Sequence, residues 1–222
     1  MKKLIFVTGN KSKFQDVQRY LKHIDSNIEL QMEDLDVPEL QSLNVEKIAK
    51  EKAAYAWNIL KKPLIVDDGG IFIEQYNQFP GALSKHVVKG IGLAGIWKLA
   101  ENNPRAHFMC CIAYQDETDK SYVFTGTCPG KIIPPVGAIR NPDFPYTDIF
   151  VPDGSEKTYA QLREDQQAAS FSHRRLAVEQ LDVFLRNHSM PDASECTLCN
   201  HIGLNFSKVK EPRSKKNRDL PF

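Results

Sequence analysis

The chain has 222 residues, 41% of them hydrophobic, and 29 Lys and Arg offset 28 Asp and Glu for a net charge of +1. That is enough chain for one large globular domain or two lobes sharing a cleft, and the charge balance supplies no global field that would select nucleic acid or a membrane surface. The five cysteines, an odd number that includes the adjacent pair Cys110 and Cys111, suit free thiols better than a disulfide framework.

The opening MKKLIFVTGN imitates a signal peptide, but Leu4 to Val7 is far short of an apolar core and Thr8, Gly9 and Asn10 end it, so a soluble cytoplasmic protein is expected. Leu4 to Val7 reads as a strand. Phe14, Val17, Leu21 and Ile24 make one face of a helix starting near Ser12, which puts TGNKSK in a strand-to-helix turn. A second helix is predicted from Val45 to Leu60, with Ile48, Ala49, Ala53, Ala56 and Leu60 as its stripe and Pro63 beyond its end. A strand ending at Asp67 follows, then a separate alternating segment from Ile71 to Gln75, and a short helix near Leu93 to Ala100.

AHFMCCIAY and SYVFTGT, separated by the polar QDETDK, read as a hairpin. A loop rich in proline and aromatics, residues 132 to 154, leads to a last helix after SFSHRR with Ala177, Leu181, Phe184 and Leu185 on its inner face. Helices interleaved with strands plus one hairpin predict an α/β fold on a mixed sheet. Residues 1–189 are expected to form the domain and residues 190–222, which lack periodicity and end in Lys and Arg, an appended disordered tail.

Three motifs are set aside. GIGLAG, residues 90–95, reads as a glycine-rich turn because too little helix follows it for a dinucleotide-binding unit. GTCPGKI is one residue short of a P-loop and has Ile132 where a hydroxyl belongs. Cys196, Cys199 and His201 give three ligands where a closed zinc site wants four.

The chemistry centres on PLIVDDGG, residues 63–70. Alone, Asp67 and Asp68 read slightly better as a capped turn ahead of Gly69 and Gly70 than as a site where a divalent cation lets two carboxylates stay ionised. Their company shifts the weight. TGNKSK offers free backbone N–H groups with Lys11 and Lys13 for phosphates, Glu39 in DVPELQ is a further hard oxygen ligand, Phe144 and Tyr146 in DFPYTDIF can stack on a base, and Ser172 can cap the helix that carries His173 and Arg174. Together they describe a site for a metal-bound nucleoside polyphosphate.

In the order FVTGNKSK, DVPELQ, ILKKPLIVDDGG, FPGALSK, YTDIFVPDG and FSHRR, from Lys3 to about Asn187, the chain resembles the non-canonical purine nucleoside triphosphate pyrophosphatases, the inosine triphosphatase or Ham1-like family, in its archaeal-type form. The resemblance implies a two-lobed α/β fold with a long twisted mixed sheet flanked by helices, an active-site cleft between the lobes, and a homodimer. It implies Mg2+-dependent hydrolysis, with Mn2+ as an alternative ion, of inosine, deoxyinosine and xanthosine triphosphates to monophosphate and pyrophosphate. Thr8, Gly9, Asn10, Lys11, Ser12 and Lys13 would hold the triphosphate, with Lys52 neutralising phosphate charge and Gly69 beside it. Glu39 and Asp68 would bind the metal with Asp67 in support, and Asp68 would polarise the attacking water. Phe144, Tyr146 and Thr147 would line the base site, with Ser172, His173 and Arg174; Arg174, which can only donate, suits a carbonyl at purine position 6 and rejects the adenine amine.

The chain departs from the family pattern at four places: Thr147 stands at an aspartate position with Asp148 one residue late, Ala168 at a lysine position, Gly69 for serine and Leu83 for an aromatic. These departures keep two alternatives open, a pyrophosphatase of altered base specificity and a weakly catalytic protein that binds nucleotide or, through its basic tail, nucleic acid.

Overall fold

The computed structural model describes residues 2–77 and 79–188; the predicted tail, with its C-x-x-C, lies outside them. The first strand, β1 (Lys2–Val7), is followed by α1 (Lys11–His23), β2 (Ile28–Glu33), α2 (Val45–Leu60), β3 (Leu64–Ile73), β4 (Pro80–Gly81) and α3 (Ser84–Ala100). The hairpin β5 (Arg105–Gln115) and β6 (Ser121–Ile132) comes next, then β7 (Phe150–Pro152), α4 (Tyr159–Glu164) and α5 (His173–Asn187). The strands form one seven-stranded mixed sheet in the order β2-β1-β3-β5-β6-β7, with β4 on the edge of β3. The expected α/β class and mixed sheet are therefore observed.

Two cores cover opposite faces of the near half of the sheet. On one face Val17, Tyr20 and Leu21 of α1 and Ala177, Val178, Leu181 and Leu185 of α5 pack on Leu4, Phe6, Ile65, Cys110 and Ile112. On the other, Val45, Ala49, Ala53 and Ala56 of α2 lie on Leu64, Val66, Cys111 and Ala113; alanines at spacings of three and four let this helix sit close to the strands. A third core, built on Ile71, Ile73, Phe108, Ile132 and Phe150 with Ile96 of α3 and Leu162 of α4, fills the far half. The cysteines at 110, 111 and 128 are free and buried.

One expectation is corrected and another extended. Asp67 and Asp68 do not end a strand: β3 runs unbroken through DDGG and pairs with β5 over its whole length, from Leu64 opposite Gln115 to Ile73 opposite Ala106. The paired glycines that read as a turn are required by crowding within the strand, where neighbouring backbones pass too close for a Cβ. GIGLAG does interrupt the helix, as expected: α3 is two helical stretches meeting at Gly92, whose φ of 65° and ψ of 179° only glycine adopts readily. The stretch beyond it, Leu93 to Ala100, is the expected one, whereas the helical turns ahead of it, from Ser84, were not expected.

Helix α5 seats on β6 at Gly126, where an added Cβ would overlap the His173 carbonyl oxygen and crowd Leu176. Gly126→Ala is therefore expected to destabilise by about 1–3 kcal/mol, the usual range for overpacking, measured as a lowered midpoint in urea with an unchanged slope.

Candidate active site

The cleft opens where β1 stops and β3 continues. β3 pairs with β1 only at Leu64 and Ile65 and with β4 only at Ile71 and Phe72, so its edge from Val66 to Gly70 is left open toward a cavity of about 1360 Å3 lined by both halves of the molecule. Into this gap comes the turn between β1 and α1. Asn10 caps α1 by accepting the Lys13 N–H at 2.9 Å, and Thr8 Oγ1 accepts the Asn10 N–H at 3.1 Å, which aims the first turn and Lys13 at the β3 edge.

Adjacent residues of a strand point to opposite faces, and here that separates the two aspartates. Asp67 faces α1 and α5, its side chain fully buried. Its Oδ1 accepts from Lys13 Nζ at 2.8 Å and its Oδ2 from Arg174 Nε at 2.6 Å and the Cys110 thiol at 3.4 Å. Burial alone would raise its pKa; the charges of Arg174 and Lys13 win and hold it well below the carboxylate range. Asp68 faces α2. Its Oδ2 accepts from Lys52 Nζ at 2.8 Å, and Lys52 also donates to Glu39 Oε1 at 2.7 Å. The hydrogen bond from Lys52 pulls the Glu39 pKa down, and although burial works against the Lys52 charge, the two carboxylates leave its pKa raised. The expectation that both aspartates serve one cation is corrected: both oxygens of Asp67 are engaged by protein cations on the far side of the strand.

The donor set of Glu39 and Asp68 fits a hard cation. The Lys52 ammonium already bridges the two carboxylates; among the described residues no three His, Cys, Asp or Glu side chains gather into a metal site, here or elsewhere. Two carboxylates with the remaining positions left to water and phosphate oxygens is the arrangement Mg2+ favours.

Thr8, Gly9, Asn10, Lys11 and Lys13 line the cleft with Glu39, Lys52, Asp68 and Gly69. Ser12 does not; its hydroxyl donates to Asp143 Oδ2 at 2.8 Å, a strut from α1 to the loop ahead of Phe144. Ser172 is buried as the cap of α5, accepting the Arg175 N–H at 3.2 Å. At the base end, Phe144 is half-buried beneath the guanidinium groups of Arg163 and Arg174, 5.5 and 5.7 Å from its ring centre. Tyr146 is not an exposed stacking ring: it is buried and its hydroxyl donates to the Ser84 carbonyl at 2.9 Å. Thr147 is buried too, donating to the Phe144 carbonyl at 2.7 Å, and Asp148 accepts from the Arg140 backbone. Ala168 lies in the core of the far half. Gly69 cannot be exchanged for serine without its Cβ meeting the Met109 carbonyl.

Arg174 is a buried hub. Besides Asp67 it reaches Asp16 at 3.4 Å, so two of its three guanidinium nitrogens are engaged. Asp16 and Arg163, which the sequence reading passed over, complete the network through a bidentate pair at 3.0 and 3.1 Å. The available signal was Asp16 itself, a carboxylate beside Val17 and one turn before Tyr20 on the buried stripe of α1. His173 stacks on Phe108 at 5.3 Å with its Nδ1 buried and unpartnered. Burial, and then the neighbouring Arg174 charge, push its pKa down from 6.5 to about 3. A His held neutral in the fold contributes stability that is whole above its unfolded pKa and is lost as pH falls from 6.5 toward 3. His173→Gln is expected to flatten that part of a plot of melting temperature against pH.

The sequence model of the Ham1 family matches residues 4–184. The chain belongs to this family. Among Ham1 relatives it is 37% identical over 189 residues to a dITP/XTP pyrophosphatase of Methanopyrus kandleri, covering 84% of this chain and 97% of the relative. It is 32% identical over 190 residues to an inosine triphosphate pyrophosphatase of Schizosaccharomyces pombe, covering 84% and 97%. The solved Ham1 protein of Coxiella burnetii superposes with a TM-score of 0.71 at 25% identity, covering 84% of this chain and all of that one; the Staphylococcus aureus Ham1 protein gives 0.68 at 26% identity, covering 84% and 99%. The mixed α/β fold described above is thus shared with the solved Ham1 proteins.

Proposed function

We propose that the chain hydrolyses inosine, deoxyinosine and xanthosine triphosphates to the monophosphate and pyrophosphate. The observation that carries this is Lys52 joining Glu39 to Asp68 across the cleft from Lys13 and the α1 turn. Carboxylates and phosphate-holding cations thereby stand on the two walls of one opening. The curated relatives' names support the substrate class.

Lys13, Lys52 and the backbone of Thr8 to Lys11 would hold the triphosphate, and Asp68 would orient the attacking water and take its proton. Asp67 would act from the other face by fixing Lys13 and Arg174. Glu39 and Asp68 would hold Mg2+, which when bound supplies charge neutralisation on the phosphate oxygens. Exposed Tyr55 and Ile59, one turn apart on α2, offer apolar surface for a homodimer, which light scattering would detect. Among the described residues no helix is long and apolar enough to cross a membrane, in keeping with a cytoplasmic location.

A panel of purine and pyrimidine nucleoside triphosphates, assayed for pyrophosphate with Mg2+ and with chelator, tests the proposal: metal-dependent release favouring inosine and xanthosine is expected. Thr147 in place of aspartate, buried and hydrogen-bonded inward, favours the second reading, a changed base preference. Metal-dependent release favouring another base would establish it.

A further inference from the structure

We propose that Arg163 is a base-reading residue that selects xanthine over guanine. The inference rests on the pyrophosphatase reading for its substrate class and goes beyond it in assigning a residue and a discriminated atom.

Arg163 lies on α4 and lines the base end of the cleft, its side chain 24% exposed and its guanidinium over the Phe144 ring. Its position is set from behind. Both Nη atoms bond the buried Asp16, which also receives Arg174, so the group is a planar fork held at one edge. A flat base reaching Phe144 therefore meets two guanidinium groups, Arg163 and Arg174. The neighbouring acids are already engaged, Asp143 by Ser12 and Asp148 by Arg140, and Ala168 supplies no polar atom.

Guanidinium only donates. One such group facing position 6 accepts hypoxanthine, xanthine and guanine, all with a carbonyl there, and excludes adenine. It leaves guanine unrejected. A second donor-only group facing position 2 meets a carbonyl in xanthine, a hydrogen in hypoxanthine and an amine in guanine. Donor against donor in a half-desolvated site is the repulsive element that selectivity against guanine requires. Arg174, tied to Asp67 and Asp16 and nearly buried, serves position 6; Arg163, the more exposed, serves position 2.

The test measures kcat/KM for xanthosine, inosine and guanosine triphosphates in the parent and in Arg163→Ala, with inorganic tripolyphosphate as a base-free competitive inhibitor. The expected result is a loss for xanthosine at least tenfold greater than for guanosine, inosine falling between, with the tripolyphosphate inhibition constant within twofold of the parent. Equal losses for all three nucleotides, a tripolyphosphate constant that rises with them, or unchanged ratios would overturn the assignment and leave Arg163 a support for Asp16. Should Arg163→Ala not fold, Arg163→Lys keeps the charge against Asp16 without the planar fork, and the same ratio is expected to shift the same way; an unshifted ratio overturns the proposal. If the parent cleaves none of these nucleotides, the pyrophosphatase reading fails by itself. Calorimetric binding of xanthosine and guanosine monophosphates then decides: a selective tenfold loss for xanthosine monophosphate in the variant supports the inference, and an unchanged ratio or no binding by the parent overturns it.

Discussion

Asp68→Asn is expected to lower kcat for pyrophosphate release by about 10²–10⁴-fold, the range for removing a general base, while the protein still folds. The group is partly exposed and its partner Lys52 keeps Glu39. With side chains 14% and 13% exposed, the pair lies between a surface pair, worth about 1 kcal/mol or less, and a fully buried one, about 3–5 kcal/mol, so a cost of about 1–2 kcal/mol and a fall in melting temperature of about 2–8 °C are expected. The kcat effect should persist at saturating nucleotide, because the amide still occupies the space but cannot take a proton. Near-normal turnover would move the proton step away from Asp68 and leave it a ligand only.

Asp67→Asn, one residue earlier, should behave in the opposite way. Its carboxylate is buried between Arg174 and Lys13, and removing one partner from a buried ion pair costs about 3–5 kcal/mol because the stranded charge cannot recover its water. For a domain of this size that is a fall of roughly 6–20 °C in melting temperature, read by calorimetry. The pH dependence follows from the depressed pKa. The stabilisation is whole above the unfolded aspartate value of about 3.9 and is lost as pH falls below it. The parent should show a steep loss below pH 4 that the variant lacks, distinct from the His173 limb, which begins nearer 6.5. Neighbours in sequence would thus divide into a residue of the reaction and a residue of the fold. A variant as stable as the parent would show that Asp16 alone suffices to compensate Arg174.

The resemblance implied a supporting role for Asp67, but its burial on the opposite face of the strand was not legible in the sequence. Helix α2 was, from Val45 to Leu60, because its apolar stripe and the proline beyond it agree. The hairpin of β5 and β6 was, because two β-rich runs flank a polar turn. DDGG was misread because glycine signals a turn and a close approach of backbones alike, and only the neighbour decides between them. Once the strand was broken at Asp67, the alternation that puts Asp68 on the other face could not be seen. Of α3 only the stretch beyond the kink at Gly92 was read; the helical turns from Ser84 ahead of it were missed because Gly90 and Gly92 punctuate their end. The pairs Asp16–Arg163 and Asp67–Arg174 join residues 147 and 107 positions apart. Local periodicity carries no information about such pairs; a carboxylate on an apolar stripe is the only trace they leave.

The unbroken course of β3, β5 and β6 beneath both halves has a mechanical corollary. A linker of single chain bends at two or three torsions, whereas a floor of paired strands resists bending with every hydrogen bond in the ladder, so closing the walls of the cleft on one another has to twist that floor. The kinked α3, the loop carrying Phe144 and the segment carrying Glu39 rest on that floor without being part of its ladder. Lys13, through Asp67, and Lys52, through Asp68, are tied to adjacent residues of one strand, so the two ammonium groups are referenced to a common floor.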